Sequence, residues 1–306
     1  MEISVVTSLY KSENYIVEFC QKMTKSLEKV TNDFEIIFVD DCSPDNSKVL
    51  IKKISKNDIR IKLIELSTNC GAAVARWEGM SHCTGKFTFL IDADLEEDTD
   101  LVGLFYKKIN SSDDIDVVFG YLESRKGGLL EKISGKMFYK LFELFSGIKF
   151  IGSPVWARLM TKAYVEALLA HNETHLFAIG LMKIIGFNQV GIPILKKNKG
   201  YSSYSLLAKI TQSIDSLISF SDKPLKIISV SGVLISLCAL FFIAYIVISN
   251  LFFHHYQTGW TSLIAAVVLM GGINMAGIGV VGLYIGKTFQ ESKKRPRAIV
   301  RNKFNV

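Results

Sequence analysis

Hydrophobic and polar positions alternate in short blocks along the first 120 residues of the chain. Runs of β-branched and aromatic residues predict strands at 3–7, 34–39, 61–66, 87–91 and 116–119. Between them, apolar residues recur at helical spacing, which predicts helices at 13–30, 46–56, 71–83 and 98–109. This strand–helix alternation predicts an α/β fold with a parallel, doubly wound sheet.

The C-terminal third has a different pattern, with two long apolar runs. Residues 227–253 and 260–285 contain no Asp, Glu, Lys or Arg, and each run exceeds the roughly 20 residues that cross a bilayer core. We expect a pair of transmembrane helices joined by the short loop HHYQTG, rather than two buried core helices. The predicted domains are therefore a cytoplasmic domain over 1–222, a membrane hairpin over 223–286 and a basic tail over 287–306.

The positive charge of the chain is concentrated beside the two apolar runs. Lys223 and Lys226 precede the first run, and the connecting loop has neither Lys nor Arg. Seven basic residues follow the second run: Lys287, Lys293, Lys294, Arg295, Arg297, Arg301 and Lys303. The positive-inside rule then places both termini in the cytoplasm of a multi-pass protein of the inner membrane. We expect no signal peptide, because the N-terminus enters a strand directly.

The same charge distribution limits the classes of partner. The formal net charge is +7, but lysines that cluster on the membrane side explain it better than nucleic-acid binding. The five cysteines form no C-x-x-C pair, so we expect reduced thiols without a metal role.

Acidic residues follow two of the predicted strands at the point where each strand ends. Asp40 and Asp41 come after 34–39, and Asp92 and Asp94 come after 87–91. Ligands of parallel α/β sheets bind at these carboxyl ends. Neither G-x-G-x-x-G nor a P-loop is present, whereas an Asp-x-Asp pair can hold a hard divalent cation whose shell is completed by phosphate oxygens. The alternative for the pair is a solvated acidic turn.

The acidic segment continues beyond Asp94 into the next predicted helix. We assign Asp98 and Asp100 to an acidic turn that caps the helix at 98–109. Glu97 is assigned to the same solvated turn, so Glu97→Gln is expected to change little.

Two further segments have the pattern of amphipathic helices. Residues 129–149 combine an apolar stripe with lysines at i, i+4 and i+8, and residues 204–222 carry a second apolar stripe. We expect both helices to lie in the bilayer interface. The alternative is two ordinary helices that pack on the sheet.

Several stretches together are similar to a known family. They are SVVTSLY, EIIFVDDCSPDNS, IDADLEED, ARLM, KGYSSYSL and SFSDKPLKI. The chain resembles the polyisoprenyl-phosphate glycosyltransferases of glycosyltransferase family 2, which include bactoprenol glucosyltransferases and dolichyl-phosphate mannose synthases. The resemblance implies a GT-A fold and transfer of a sugar from a UDP- or GDP-type nucleotide sugar to a polyprenyl phosphate such as undecaprenyl phosphate. It also implies a role in cell-surface glycan modification and a homotetramer, for which Gly282 and Gly286 offer a close helix contact.

The resemblance also implies roles for individual residues. The nucleotide-sugar set is Ser8, Tyr10, Ser12, Asp40, Asp41, Asp92, Lys199, Ser202 and Tyr204. The catalytic set is Asp92, Asp94 and Arg158, and the metal set for Mg²⁺ or Mn²⁺ is Asp94 and Glu96. The lipid-phosphate set is Arg125, Lys132 and Ser134, while Lys196 and Lys197 are expected to be solvated.

At three positions the chain departs from the family pattern. Ser12 stands where the family has an acid, Cys42 stands where it has a glycine, and Trp156 stands where bactoprenol enzymes have an aspartate. Trp156 is either a core residue or an aromatic contact for the sugar or lipid. A missing base is tolerable, because a phosphate acceptor is mostly ionised at pH 7.

Three alternative functions can be weighed against this resemblance. A processive polysaccharide synthase would have a Q-x-x-R-W motif and more spans, and the sequence has neither. A non-enzymatic membrane adaptor with a degenerate transferase domain is a second alternative. A transferase that acts on another lipid or glycan acceptor is the third.

Overall fold

The computed structural model describes most of the chain. The described residues are 1–123, 140, 142–147, 149, 151–171, 173, 178–196, 221–252 and 259–306. Within them the chain forms two compact units. The first unit comprises Met1–Glu143, Ile148–Ser205 and Arg295–Val306, and the second comprises Leu144–Gly147 and Leu206–Lys294.

The first unit is built on one eight-stranded sheet. Its strands are β1 (Ile3–Leu9), β2 (Phe34–Asp40), β3 (Ile61–Leu66), β4 (Phe87–Leu90), β5 (Val117–Leu122), β6 (Ser153–Thr161), β7 (Gln189–Pro193) and β8 (Val300–Phe304). Their order across the sheet is β7-β5-β6-β4-β1-β2-β3-β8. The five strands predicted from the sequence are β1 to β5, and they are confirmed.

The predicted parallel strands are present, but the sheet as a whole is mixed. Strands β4, β1, β2 and β3 are parallel neighbours, as predicted. Strand β6, however, lies antiparallel between β4 and β5, and β8 lies antiparallel on the edge of β3. Strand–helix alternation reveals only parallel neighbours joined by a crossover helix, so it does not detect strands that enter the sheet in the opposite direction.

Helices cover both faces of this sheet. They are α1 (Ile16–Glu28), α2 (Ser47–Ser55), α3 (Ala72–Met80), α4 (Leu101–Ile109), α5 (Lys162–Leu169) and α6 (Ala178–Ile184). Helix α1 buries Phe19 and Met23 in the cluster that holds Ile3 and Val5 of β1. Helix α3 approaches the opposite face of β1, where Gly79 lies against Val6. Side chains alternate between the two faces of a strand, so helices on both sides of the sheet bury both faces of the parallel strands. This packing holds the carboxyl ends of the strands in place.

The second unit contains two long helices, at the two places where the sequence predicts spans. They are α7 (Lys223–Phe252) and α8 (Trp260–Ser292). Among the described residues, Leu269–Ser292 is the segment long and apolar enough to cross a membrane, judged by length and composition. The pair of spans therefore stays a prediction.

The predicted basic tail has structure of its own. After α8, residues 295–306 belong to the first unit, and β8 pairs with β3 so that Leu63 faces Phe304. Arg301 and Lys303 are exposed on this strand. Charged side chains are usual on an edge strand, where they hinder pairing with another chain.

Candidate active site

Two buried aspartates lie at the carboxyl end of β2. Asp41 accepts hydrogen bonds from the backbone N–H groups of Cys70 at 2.7 Å and Gly71 at 2.9 Å. Asp40 accepts one from the backbone N–H of Ser43 at 3.3 Å. Burial raises the pKa of Asp40 to about 6 and also raises the pKa of Asp41. Both residues are 1% exposed. Burial disfavours the charged form of a carboxyl group, so keeping these two aspartates here is costly for the fold. Their carboxyl groups are placed where a ligand's hydroxyl or N–H could meet them.

The loop after β1 lies beside this pair. Ser8 is half-buried at the end of β1, and Tyr10 is exposed. Ser12 donates its backbone N–H to Ser47 Oγ at 3.1 Å, and Ser47 Oγ donates to Asp45 at 2.7 Å. Asp45 thus ties the loop after β1 to the loop after β2, a role that the sequence analysis missed. Hydrogen bonds from Ser43, Ser47 and Glu13 outweigh its partial burial and lower the pKa of Asp45 to about 2.

A cluster of acids and bases lies where β4 ends. The Asp92 carboxylate pairs with the guanidinium of Arg76 on α3. On its other oxygen, Asp92 Oδ2 is 3.7 Å from Lys196 Nζ. Lys196 Nζ is also 3.1 Å from Glu96 Oε2 and 3.9 Å from Glu97 Oε1. Carboxylates and cations therefore alternate at the carboxyl end of the strand, and the predicted roles of Asp92 and Glu96 stay predictions.

The turn after β4 brings these carboxylates together. Asp94 Oδ1 accepts the backbone N–H of Glu96 at 3.1 Å. Leu95 has φ 60°, a left-handed conformation that costs an L-residue roughly 1–2 kcal/mol. Strain of this kind is often found at functional sites. Here it reverses the chain, so that Asp92 and Glu96 both face Lys196.

The prediction that Glu97 is a solvated turn residue is wrong. Glu97 is 1% exposed, and its Oε2 accepts the backbone N–H of Asp92 at 3.4 Å. Burial and the Asp92 charge raise the pKa of Glu97 to about 7. Its neighbours Glu96 and Asp98 are also acidic, so no sequence pattern indicates which acid points inward. Asp98 and Asp100 do lie on the exposed turn before α4, as predicted.

The prediction that Lys196 is solvated is also wrong. Its side chain is 26% exposed and lies among three carboxylates. Burial alone would lower its pKa, but Glu97, Asp92 and Glu96 outweigh burial and raise the pKa of Lys196. Arg76 was missed as well, and the signal for it was an arginine that follows four apolar residues at the start of helix α3, AAVARWEGM. Its Nε and Nη1 are buried, without a hydrogen-bond partner among the described residues.

Trp156 and Arg158 lie on β6, beside this cluster. The guanidinium carbon of Arg76 lies 4.2 Å from the centre of the Trp156 ring, so Trp156 covers the cation that holds Asp92. Trp156 therefore lies at the cluster rather than in the core, and its contact with a sugar or lipid stays a prediction. Arg158 is 3% exposed and donates to the carbonyl of Val155 at 2.9 Å. These contacts place Arg158 behind the cluster, where it supports β6.

The remaining predicted residues lie outside the described part of the chain. They are Arg125, Lys132, Ser134, Lys197, Lys199, Ser202 and Tyr204. Most of the two predicted interface helices, 129–149 and 204–222, lies there too.

The acid cluster offers carboxylates that suit a divalent cation, but it does not enclose a cation by itself. Among the described residues, no three His, Cys, Asp or Glu side chains are grouped closely enough to enclose a metal ion. A Mg²⁺ ion that is shared with a nucleotide, however, needs only one or two protein carboxylates, because phosphates and water supply the other ligands. Glu96 and Asp92 already converge on one cation, the Lys196 ammonium. The residues present therefore fit a metal that binds together with a diphosphate.

These features define an α/β fold with acidic and basic side chains grouped at the carboxyl ends of its parallel strands, where folds of this class bind their ligands. A family model described as glycosyl transferase family 2 matches residues 4–168, more than half of the chain. The chain belongs to glycosyl transferase family 2, and it is an enzyme of the glycosyltransferase class.

Similar proteins cover nearly the whole chain. A glycosyltransferase-like protein of Mycobacterium tuberculosis is 38% identical over 301 residues, which are 98% of this chain and 88% of the relative. The bactoprenol glucosyl transferase of Shigella phage SfV is 26% identical over 304 residues, 99% of each chain. Among solved structures, M. tuberculosis glucosyl-3-phosphoglycerate synthase aligns with TM-score 0.51 and 14% identity over 72% of this chain and 80% of its own. That similarity supports the GT-A α/β fold.

Proposed function

We propose that this protein transfers a sugar from a nucleotide-diphosphate sugar to a polyprenyl phosphate at the cytoplasmic face of a membrane. The observation that carries the proposal is the cluster at the end of β4, where Asp92 and Glu96 alternate with Arg76 and Lys196. Similarity to a bactoprenol glucosyl transferase over the full length of both chains supports the acceptor. The alternatives of an adaptor or of a different acceptor are not favoured.

The donor would lie across the carboxyl ends of β1, β2 and β4. Asp40 and Asp41 are suited to the nucleoside, because their buried carboxyl groups can accept hydrogen bonds from a base or a ribose hydroxyl. Arg76 and Lys196 are suited to the diphosphate, because a guanidinium and an ammonium both bind phosphate oxygens. Asp92 would hold both cations in place, since it contacts each of them.

Asp94 and Glu96 would hold Mg²⁺ or Mn²⁺ beside the diphosphate. The ion, when bound, supplies charge stabilisation to the leaving diphosphate oxygens. Without it, the carboxylates would repel the negative charge that develops there. The donor would be oriented by Asp92, Glu96 and the backbone of the turn after β4, in which Leu95 is left-handed.

The acceptor needs positioning more than deprotonation. A phosphate monoester has its second pKa near 6, so it is already a dianion at pH 7. Placing its oxygen in line with the anomeric carbon is worth a large part of the barrier. This explains how Trp156 can replace the aspartate of bactoprenol enzymes. Arg125, Lys132 and Ser134 remain our candidates for binding the lipid phosphate.

We also propose that α7 and α8 form a membrane hairpin. Residues 148–205 and 295–306, which precede and follow the helical pair in the chain, both belong to the first unit, and β8 is hydrogen-bonded to β3 in the same sheet. A chain that crossed the membrane once would leave β8 on the opposite side from β3. An even number of crossings is therefore needed if α8 spans the membrane.

A homotetramer that assembles through these helices remains part of the proposal. Gly282 and Gly286 lie one turn apart on α8, with open space beside both. Two glycines at this spacing allow another helix to approach closely.

The test is a transfer assay with a panel of donors. Membranes that contain the protein are incubated with undecaprenyl phosphate and, separately, with radiolabelled UDP-glucose, UDP-N-acetylglucosamine, UDP-galactose and GDP-mannose. We expect one donor to label the lipid fraction, and the label to depend on added undecaprenyl phosphate. If no donor labels the lipid above membranes that lack the protein, the proposed function is wrong.

A further inference from the structure

Lys196 occupies an unusual position for a lysine. It follows β7, and its ammonium reaches three carboxylates of the turn after β4, those of Asp92, Glu96 and Glu97. The side chains of Asp92, Glu96 and Glu97 are 16%, 20% and 0% exposed, and the side chain of Lys196 is 26% exposed. A cation so placed neutralises a cluster of acids that would otherwise repel one another.

Arg76 cannot replace Lys196 in this role. Its guanidinium pairs with the other oxygen of Asp92 and is stacked on Trp156. Among the described residues, Lys196 is the basic side chain that forms ion pairs with Glu96 and Glu97.

Glu96 is at once the partner of Lys196 and a proposed metal ligand. The ammonium lies 3.1 Å from Glu96 Oε2, so a divalent ion bound to the same carboxylate would lie within a few ångströms of it. Two cations at that distance repel strongly in a partly buried site. One of them must leave Glu96, and the lysine has the flexible stem that allows it to move.

We propose that Lys196 is a positioning residue that stands in for the divalent cation while the donor is absent and moves to a diphosphate oxygen when metal and nucleotide bind together. The inference rests on the proposed function. It predicts that the metal and the nucleotide strengthen each other's binding. A metal that binds alone must displace the lysine from Glu96 and leaves the ammonium without a new partner. When the nucleotide binds as well, its diphosphate offers the ammonium a second anion. Coupling of this kind is reciprocal between the two ligands.

The experiment measures Mn²⁺ binding by purified full-length protein in detergent. Free Mn²⁺ is followed by its EPR signal, with and without saturating UDP or GDP, for wild type and Lys196→Met. Methionine keeps an apolar stem of similar length but removes the charge. We expect Lys196→Met to bind Mn²⁺ at least about tenfold more tightly than wild type without nucleotide, because no ammonium competes for Glu96. The strengthening of Mn²⁺ binding by nucleotide should fall by at least about tenfold.

Two variants control for charge and for side-chain shape. Lys29→Met removes the same charge from an ion pair 2.8 Å long with Asp100, which belongs to the same acidic segment but faces α1. It should bind Mn²⁺ like wild type. Lys196→Arg keeps the charge and should retain the weak binding of Mn²⁺ in the absence of nucleotide.

Three results would overturn the inference. They are equal Mn²⁺ affinity in Lys196→Met and wild type, an equal gain in Lys29→Met, and a Lys196→Arg variant that behaves like Lys196→Met. Each of these leaves the proposed function intact, provided that wild type binds Mn²⁺ with nucleotide. If wild type binds no Mn²⁺ even with nucleotide, both the inference and the proposed metal site are wrong.

Discussion

At the scale of single residues, the site keeps side chains in states that are costly for the fold. Asp40 is a buried carboxylate, and Leu95 has a left-handed backbone. Cys42, where the family has glycine, has φ 53°. This conformation explains the family's glycine, since it costs a residue with a β-carbon roughly 1–2 kcal/mol. The left-handed Cys42 directly follows Asp40 and Asp41.

Asp40→Asn tests this cost through pH. In the unfolded chain an aspartate ionises near pH 4, whereas in the fold the pKa of Asp40 is about 6. Between these values the unfolded state loses its proton first, so this group lowers stability as pH rises from about 4 to 6. Asparagine has no proton to lose. We expect Asp40→Asn to be more stable than wild type by about 2 kcal/mol at pH 8 and equal to it near pH 4, measured by unfolding at each pH.

Asp58→Asn is the control of opposite sign. A hydrogen bond from Arg60 lowers the pKa of Asp58, so its contribution to stability is present above pH 4 and is lost as pH falls. That variant should be less stable than wild type at pH 8. A loss of stability at pH 8 in Asp40→Asn would contradict the interpretation that burial of the Asp40 carboxylate lowers stability at that pH.

Some of this residue detail could be predicted and some could not. The positions of Asp40, Asp41 and Asp92 follow from the sequence, because a strand pattern shows where each strand ends and the ends of parallel strands meet. Lys196 could not be placed, because it is distant in sequence from Asp92 and no pattern distinguishes it from Lys197. The inward direction of Glu97 depends on a turn whose φ angles the sequence does not reveal.

At the scale of elements, strand β8 is the main surprise. The sequence predicts a basic tail over residues 287–306, because the five residues of β8, VRNKF, have no clear strand pattern. In the fold, β8 closes the edge of β3. Asn305 donates its side-chain N–H to the carbonyls of Ser55 at 2.8 Å and Ile61 at 3.1 Å. Strands buried on both faces are the ones that the sequence predicts well, because they read as continuous apolar runs. Edge strands such as β8 lack such a run.

Phe304→Ala tests whether β8 contributes to stability. Phe304 packs against the core cluster, and Lys52 Nζ lies 4.3 Å from the centre of its ring. We expect the variant to lose about 2 kcal/mol in unfolding, less than a fully buried phenylalanine would lose. Ile299→Ala is the matched control, because Ile299 is 60% exposed on the same segment. Equal stability of the two variants would show that β8 does not hold the edge of the sheet.

At the scale of the whole molecule, the return of the chain to its own sheet constrains the topology. Residues on both sides of the helical pair fold into one unit, so under the proposed hairpin they lie on one side of the membrane. The charge asymmetry around the apolar runs predicts that this side is the cytoplasm. Both observations support the proposed hairpin, which stays a prediction.

Reporter fusions test the topology. We expect alkaline phosphatase fused after Val306 to be inactive, because the enzyme works only in the periplasm. The same reporter fused after Phe252, at the end of α7, should be active. Activity after Val306 would contradict the hairpin, and so would inactivity after Phe252.

The account as a whole depends on the acid cluster, and the most direct measurement is sugar transfer to undecaprenyl phosphate by wild type and Asp94→Asn, each with and without EDTA. Asp94 lies at a strand end outside the buried core, so the variant should fold normally. We expect EDTA to abolish wild-type transfer, with recovery on addition of Mg²⁺ or Mn²⁺. Asp94→Asn should lose on the order of a thousandfold in rate, since most of a metal's charge stabilisation would be lost. Near-normal transfer by Asp94→Asn, or undiminished transfer in EDTA, would contradict a metal-assisted transferase.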